Sequence, residues 1–203
     1  MNSATASAPA TTDVRDTILA TGQRIMGAKG FSAVGLNEVL TAAGVPKGSF
    51  YHYFASKEAF GEALLADYFS AYLADMDRLF RDPGQTKAQQ LDAYFSAWQV
   101  SQSFKDCQGK CLAVKLGAEV ADLSASMRAA LKQGTAGIIE RIARALEDGA
   151  EDGSLSFAGG AEPLAQSLYQ LWLGASIMVK IVRNAQPFET ALRTTHQLLH
   201  PSR

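Results

Sequence analysis

The sequence predicts an all-α protein in which a small N-terminal unit of three helices is joined by one long helix to a larger helical body. Three observations carry this prediction. Apolar residues recur every three to four positions over most of the chain, the clearest Gly and Pro breaks fall between those runs, and neither a strand-like alternation nor an internal repeat is present.

The elements follow in order. Val14, Ile18, Leu19, Ile25 and Met26 share one helical face, with Asp13 placed to cap the helix and Gly30 to end it. After Phe31, the residues Leu36, Val39 and Leu40 mark a short second helix, with Gly35 in the capping place, Glu38 three residues later and Gly44 at its end. Pro46 suits the first position of a third helix, because its fixed φ is helical and the hydrogen it lacks has no intrahelical partner there. Lys47 to Tyr53 then make about two turns. Ser56 caps a long fourth helix whose apolar side includes Phe60, Leu64, Leu65, Phe69, Met76 and Phe80, closed by Pro83 and Gly84. Further helical patterns span about 86–104, 111–121, 124–148, 162–184 and 188–199, separated by Gly109, a Gly/Ser/Ala loop at 149–160 and Pro187.

Among 203 residues, 19 Lys and Arg face 20 Asp and Glu, a net charge of −1, so any nucleic-acid contact must come from a local patch. Up to Phe60 the balance is five basic against four acidic residues, which decides nothing. The opening MNSATASAPATT has no basic start and no apolar run; residues 1–12 read as a disordered arm rather than a secretory signal. The longest apolar run, Leu171 to Val182, falls short of the roughly 18 residues of a membrane span and contains Lys180. The expectation is a soluble, cytoplasmic protein without a membrane partner. Its two cysteines, Cys107 and Cys111, make no disulfide framework and should be free thiols in a reducing compartment.

The most particular stretch is Gly44 to Phe54, GVPKGSFYHYF. A short helix, a tight turn through Gly44 and a second short helix make a helix-turn-helix, whose second member enters the DNA major groove. Phe50 and Phe54, four residues apart, share a face and can anchor so short a helix on its neighbours. The remaining positions suit DNA: Lys47 as a point charge, Gly48 for close backbone approach, Ser49 and Tyr51 as hydroxyl donors, and His52 as a phosphate donor. Lys57, in the first turn of the fourth helix, joins a cation to free amides and suits a phosphate.

Residues 13–60 resemble the DNA-binding domain of the TetR family of bacterial repressors, whose motif Gly-Val-x-Lys-Gly-(Ser/Thr)-(Phe/Leu)-Tyr-His-Tyr-Phe-x-(Ser/Asn)-Lys is matched almost throughout by Gly44 to Lys57. Pro46 and Gly35 depart from it, standing where the family often has Ser or Thr and Thr. The resemblance implies a homodimer that reads a palindromic operator, with residues 61–203 forming the ligand-sensing and dimerisation domain. The apolar set Leu168, Leu171, Trp172, Ala175, Ile177, Met178, Val179 and Ile181 independently covers more of one helix than a single neighbour would hide.

In Cys107-Gln-Gly-Lys-Cys-Leu-Ala-Val-Lys-Leu116, two thiols sit beside two lysines near a helix start, where cations and the helix dipole favour the thiolate. Lys180 is the only charge between Glu162 and Arg183, and a buried ammonium needs an acceptor. Composition alone reads the cysteines as small half-buried residues and Lys180 as a snorkelling side chain. Over about 13–200, however, the chain resembles the N-ethylmaleimide-responsive subgroup of the family, through Gly109-x-Cys-Leu-x-Val-Lys-Leu116, Ala118-Glu-Val120, Asp122-Leu-Ser124 and Leu171-Trp-Leu-Gly-Ala175 with Lys180. That resemblance implies Cys111 as the sensing thiol, Lys180 as its partner and a reactive electrophile or oxidant as inducer; it assigns Cys107 no role.

The rival reading keeps the repressor and makes the inducer a non-covalent guest lined by Phe95, Trp98, Phe104 and Trp172. A metal sensor lacks a four-ligand set, because His52, His196 and His200 lie far along the chain from the cysteines. A thiol enzyme lacks a nearby His and an oxyanion-type Gly loop. Neither a metal, a cofactor nor a catalytic residue is expected.

Overall fold

The computed structural model describes residues 14–102 and 112–199, and these are helical almost throughout. Nine helices follow one another among the described residues: α1 (Val14–Lys29), α2 (Leu36–Ala43), α3 (Lys47–Tyr53), α4 (Lys57–Leu79), α5 (Lys87–Ser101), α6 (Leu112–Leu123), α7 (Ala125–Glu151), α8 (Ala161–Val182) and α9 (Gln186–Leu199). The all-α architecture predicted from periodicity is the one observed. The proposed arm, the Asp13 cap and the residues Phe104, Cys107, Cys111 and His200 lie outside the described residues.

Local chemistry explains where the helices begin and end. Gly30 closes α1 at φ +99, with its amide donating to Met26 O at 2.8 Å. Gly44 sits at φ 66 after α2, and Val45 N returns to Leu40 O at 3.0 Å, so the left-handed residue and the bond behind it satisfy carbonyls that the helix leaves open. Ser56 caps α4 by accepting from Ala59 N, and Thr86 and Gln89 form a reciprocal capping box on α5.

Several limits differ from the expectation. Pro46 is the N-cap of α3, extended at ψ 144, rather than its first helical residue. Helix α4 stops at Leu79, four residues before Pro83; the chain leaves it through looser three-residue turns, Arg81 N to Arg78 O at 3.3 Å and Asp82 N to Leu79 O at 3.5 Å, and Asp82 then accepts Gly84 N at 2.9 Å. Helix α7 runs on to Glu151 and so shortens the 149–160 loop.

Two packing arrangements position the site. Helices α2 and α3 pack on α1 and on each other, α1 packs on α4, and Phe50 of α3 reaches Phe60 of α4, burying Ile18, Met26, Val39, Phe50, Phe54 and Phe60. The remainder of α4 packs chiefly on α7, which also meets α5, α6 and α8, while α9 packs on α8. Glycines let the helices close on each other: the Phe69 ring occupies the place a Cβ on Gly134 would take, and a Cβ on Gly61 would lie 2.7 Å from the Phe31 ring. None of the helices described is long and apolar enough to cross a membrane.

Candidate nucleic-acid interface and sensor face

Helix α3 has only seven residues, too few to hold itself in water, so its rings must hold it. Phe50 is fully buried; its ring lies 5.2 Å from Phe54 and 5.6 Å from Phe60 of α4, and Phe54 lies 5.1 Å from Phe60. Arg15 of α1 sits 5.7 Å over Phe54 and covers the edge of this cluster. With one face so committed, the other is turned outward: Lys47, Gly48, Tyr51 and His52 are exposed and Ser49 is half-buried. Tyr51 remains 53% exposed, with its ring meeting the buried Phe50 ring edge to face at 5.4 Å. Gly48 has open space where a Cβ would be, so a ligand backbone can approach it directly.

Lys57 is placed differently from the expectation. Its Nζ donates to Phe31 O at 2.8 Å and lies 4.6 Å from the Phe31 ring centroid, so the amine is turned back onto the α1–α2 turn. On the other side of that turn stands Glu119 of α6, which accepts Ser32 N at 2.6 Å and Phe31 N at 3.1 Å. Burial pushes the Glu119 carboxyl up, but the Ser32 and Phe31 hydrogen bonds and the Lys57 charge outweigh it and hold the group below the usual range. Sequence reading passed over Glu119 as a functional group, because its partners lie 87 and 88 residues away.

In the larger body, Phe95 stacks on Trp172 at 4.9 Å and Trp172 on Phe188 at 5.7 Å. Trp98 Nε1 donates to Ser176 Oγ at 2.9 Å, and Trp172 Nε1 donates to Thr195 Oγ1 at 3.0 Å. Trp98 and Trp172 are thus buried, hydrogen-bonded core groups rather than walls of an open pocket. Of the described residues in the predicted set, Phe95 alone borders a cleft of about 460 Å³ between α5 and α9. His196 Nε2 and Asp92 Oδ1, 2.9 Å apart, stand on its rim. Lys180 is half-buried in the last turn of α8. One side of that helix, Leu168, Trp172, Ala175 and Val179, faces the core, while Ile177, Met178, Ile181 and Val182 are 42–66% exposed.

Comparison with known proteins places both parts. Residues 18–64 match the sequence profile described as "Bacterial regulatory proteins, tetR family", and residues 88–195 match "Tetracyclin repressor-like, C-terminal domain". The chain is 44% identical over 184 residues to the HTH-type transcriptional repressor NemR of Escherichia coli K12, covering 89% of this chain and 90% of that protein. It is 31% identical to the repressor DhaR of a Mycobacterium species, covering 95% and 96%. Among solved structures it is similar to the reduced form of E. coli NemR, with TM-score 0.88 and 42% identity over 93% of this chain and 97% of that one. A TetR regulatory protein from Rhodobacter sphaeroides gives TM-score 0.83 and 29% identity over 92% and 98%.

Proposed function

The chain belongs to the TetR family of DNA-binding transcriptional repressors and is not an enzyme, and from that premise we propose that its operator complex is broken when an electrophile or oxidant modifies Cys111. The family implies a dimer on operator DNA. The exposed strip Ile177, Met178, Ile181 and Val182 supports α8 as the pairing surface, since a monomer gains nothing from four large apolar groups in water. A two-fold pair sets its recognition helices about 34–36 Å apart, one DNA turn, and so favours a palindromic site.

The observation that carries the DNA reading is the division of α3. Phe50 and Phe54 are sunk in the ring cluster, while Lys47, Gly48, Tyr51 and His52 face outward with Ser49 beside them. These groups supply positioning contacts to phosphate and polar contacts to base edges. Lys57 supports the reader from behind rather than reaching for phosphate, because Phe31 O already holds its amine.

The sensing reading rests on Cys111, which directly precedes Leu112 at the start of α6, and on Lys180 near the end of α8. A Cys111 thiolate adds to an electron-poor C=C of a quinone; an S–C bond forms, the ring carbonyl oxygen takes up a proton, and nothing leaves. With hypochlorous acid the sulfur is oxidised to a sulfenic acid while chloride is released, and the Lys180 amine can then condense with that sulfur and expel water. Swinging a repressor from 99:1 to the reverse needs roughly 5.5 kcal/mol of differential stabilisation, within easy reach of a covalent bond.

A second reading keeps a non-covalent guest as inducer, and the cleft between α5 and α9 favours it. Intact-mass measurement separates the two. Quinone should add its mass to the wild-type protein and release operator DNA, and Cys111→Ser should stay bound to operator DNA even where Cys107 takes up quinone. Normal release of the Cys111→Ser dimer by quinone removes the thiol reading, and release at unchanged mass selects the guest.

A further inference from the structure

We propose that Glu119 is the positioning residue that sets the stance of the DNA reader, a carboxylate clasp by which α6 grips the turn that leads into the helix-turn-helix. The inference deepens the repressor reading and rests on it.

Four observations meet at this point. Both Glu119 oxygens are used, one on Ser32 N at 2.6 Å and the other on Phe31 N at 3.1 Å. Phe31 O is held in turn by Lys57 Nζ at 2.8 Å, so a single peptide-bonded residue is fixed from α6 on one side and α4 on the other. Gly30 is left-handed there at φ +99, and a Cβ on it would lie 3.1 Å from Glu119 Oε2, a spacing that leaves room for the carboxylate and little else. In the sequence, Phe31 and Ser32 stand just before α2, and Lys57 stands just after α3. The clasp therefore brackets α2 and α3 together.

A carboxylate receiving two amides makes charge-assisted hydrogen bonds, stronger and more directional than neutral ones. Helix α6 also packs on α1, and it begins at Leu112, one residue after the proposed sensing thiol in the sequence. Seven residues of α6, about 10 Å of helix, separate Leu112 from Glu119. A displacement or rotation of the head of α6 is thereby delivered to the turn that aims α2 and α3, and breaking the clasp leaves the two parts free to move independently.

The test uses full-length dimers of wild type, Glu119→Ala and Glu119→Gln, with operator affinity, melting temperature and amide exchange of the 30–34 peptide as readouts, before and after N-ethylmaleimide. In unmodified protein, Glu119→Ala is expected to weaken operator binding about tenfold and to expose the Phe31 and Ser32 amides to exchange, with dimerisation intact. Glu119→Gln keeps an acceptor oxygen and falls between the two. The ratio of affinities before and after N-ethylmaleimide should also shrink in Glu119→Ala. Wild-type operator affinity in a folded Glu119→Ala dimer overturns the clasp; should that variant fail to fold, wild-type affinity together with exchange-exposed amides in Glu119→Gln overturns it equally. A wild-type protein indifferent to N-ethylmaleimide overturns the thiol reading alone, because the clasp is judged on unmodified protein.

Discussion

The Phe50 ring of α3 meets the Phe60 ring of α4 edge to face, with centroids 5.6 Å apart and planes at 69°. This contact fastens the recognition helix to the long helix that enters the larger body. Phe50→Ala removes it and opens a cavity in a site with no exposure, at a cost of about 3–5 kcal/mol. Denaturant unfolding should show that loss, and operator binding should weaken with it, since Phe50 is the central ring of the cluster that anchors α3.

Close helix packing gives an opposed pair of outcomes. At Gly134 the Phe69 ring fills the space of a Cβ, so Gly134→Ala forces the α4–α7 contact apart and should destabilise by about 1–3 kcal/mol. Gly117, inside α6, has nothing within 4 Å of that position, and Gly117→Ala should stabilise by about 0.5–1 kcal/mol. Thermal melts of the two variants should move in opposite directions.

A charge on the exposed strip of α8 should separate the subunits. Ile181 is 66% exposed and Met178 45%. Ile181→Glu leaves the core of one chain untouched but places a carboxylate where the dimer would bury it. Sedimentation should show monomers, still helical by circular dichroism, with operator affinity reduced by orders of magnitude through loss of the paired half-sites.

Asp77 and Arg141 join α4 to α7 through two hydrogen bonds of 2.7 and 2.9 Å. The guanidinium's hydrogen bonds hold the Asp77 carboxyl below its ordinary range. A depressed native pKa stabilises above the unfolded value and is lost as pH falls through the native one. Solvent screening keeps the contribution to about 1 kcal/mol or less. Melting temperature should therefore fall on acidification from neutral pH to about 3, and Asp77→Asn should reduce the slope of that fall.

Some of this was legible in the amino acids and some was not, for physical reasons. The Gly44 turn, the Ser56 cap and the Phe50–Phe54 anchor all rest on near neighbours in the chain, and each is found as read. Helix limits depended on competing local bonds, such as the three-residue turns at Arg81 and Asp82 through which the chain leaves α4 before Pro83. Trp98 and Trp172 were legible as apolar, but whether rings stack on each other or line a space is settled by partners as distant as Ser176 and Thr195. The amine of Lys57 and the carboxylate of Glu119 escaped for the same reason: their shared partner, Phe31, is 26 residues from one and 88 from the other.

The outward face of α3 is the part on which the repressor mechanism turns, and one double substitution tests it most directly. Lys47→Ala with Tyr51→Ala removes a charge and a ring from two exposed positions of α3. Operator affinity should fall roughly a hundredfold, at about 1–3 kcal/mol per lost contact, while the dimer and its melting temperature stay as in wild type. Wild-type affinity in that folded double variant would contradict the assignment of α3 as the DNA reader.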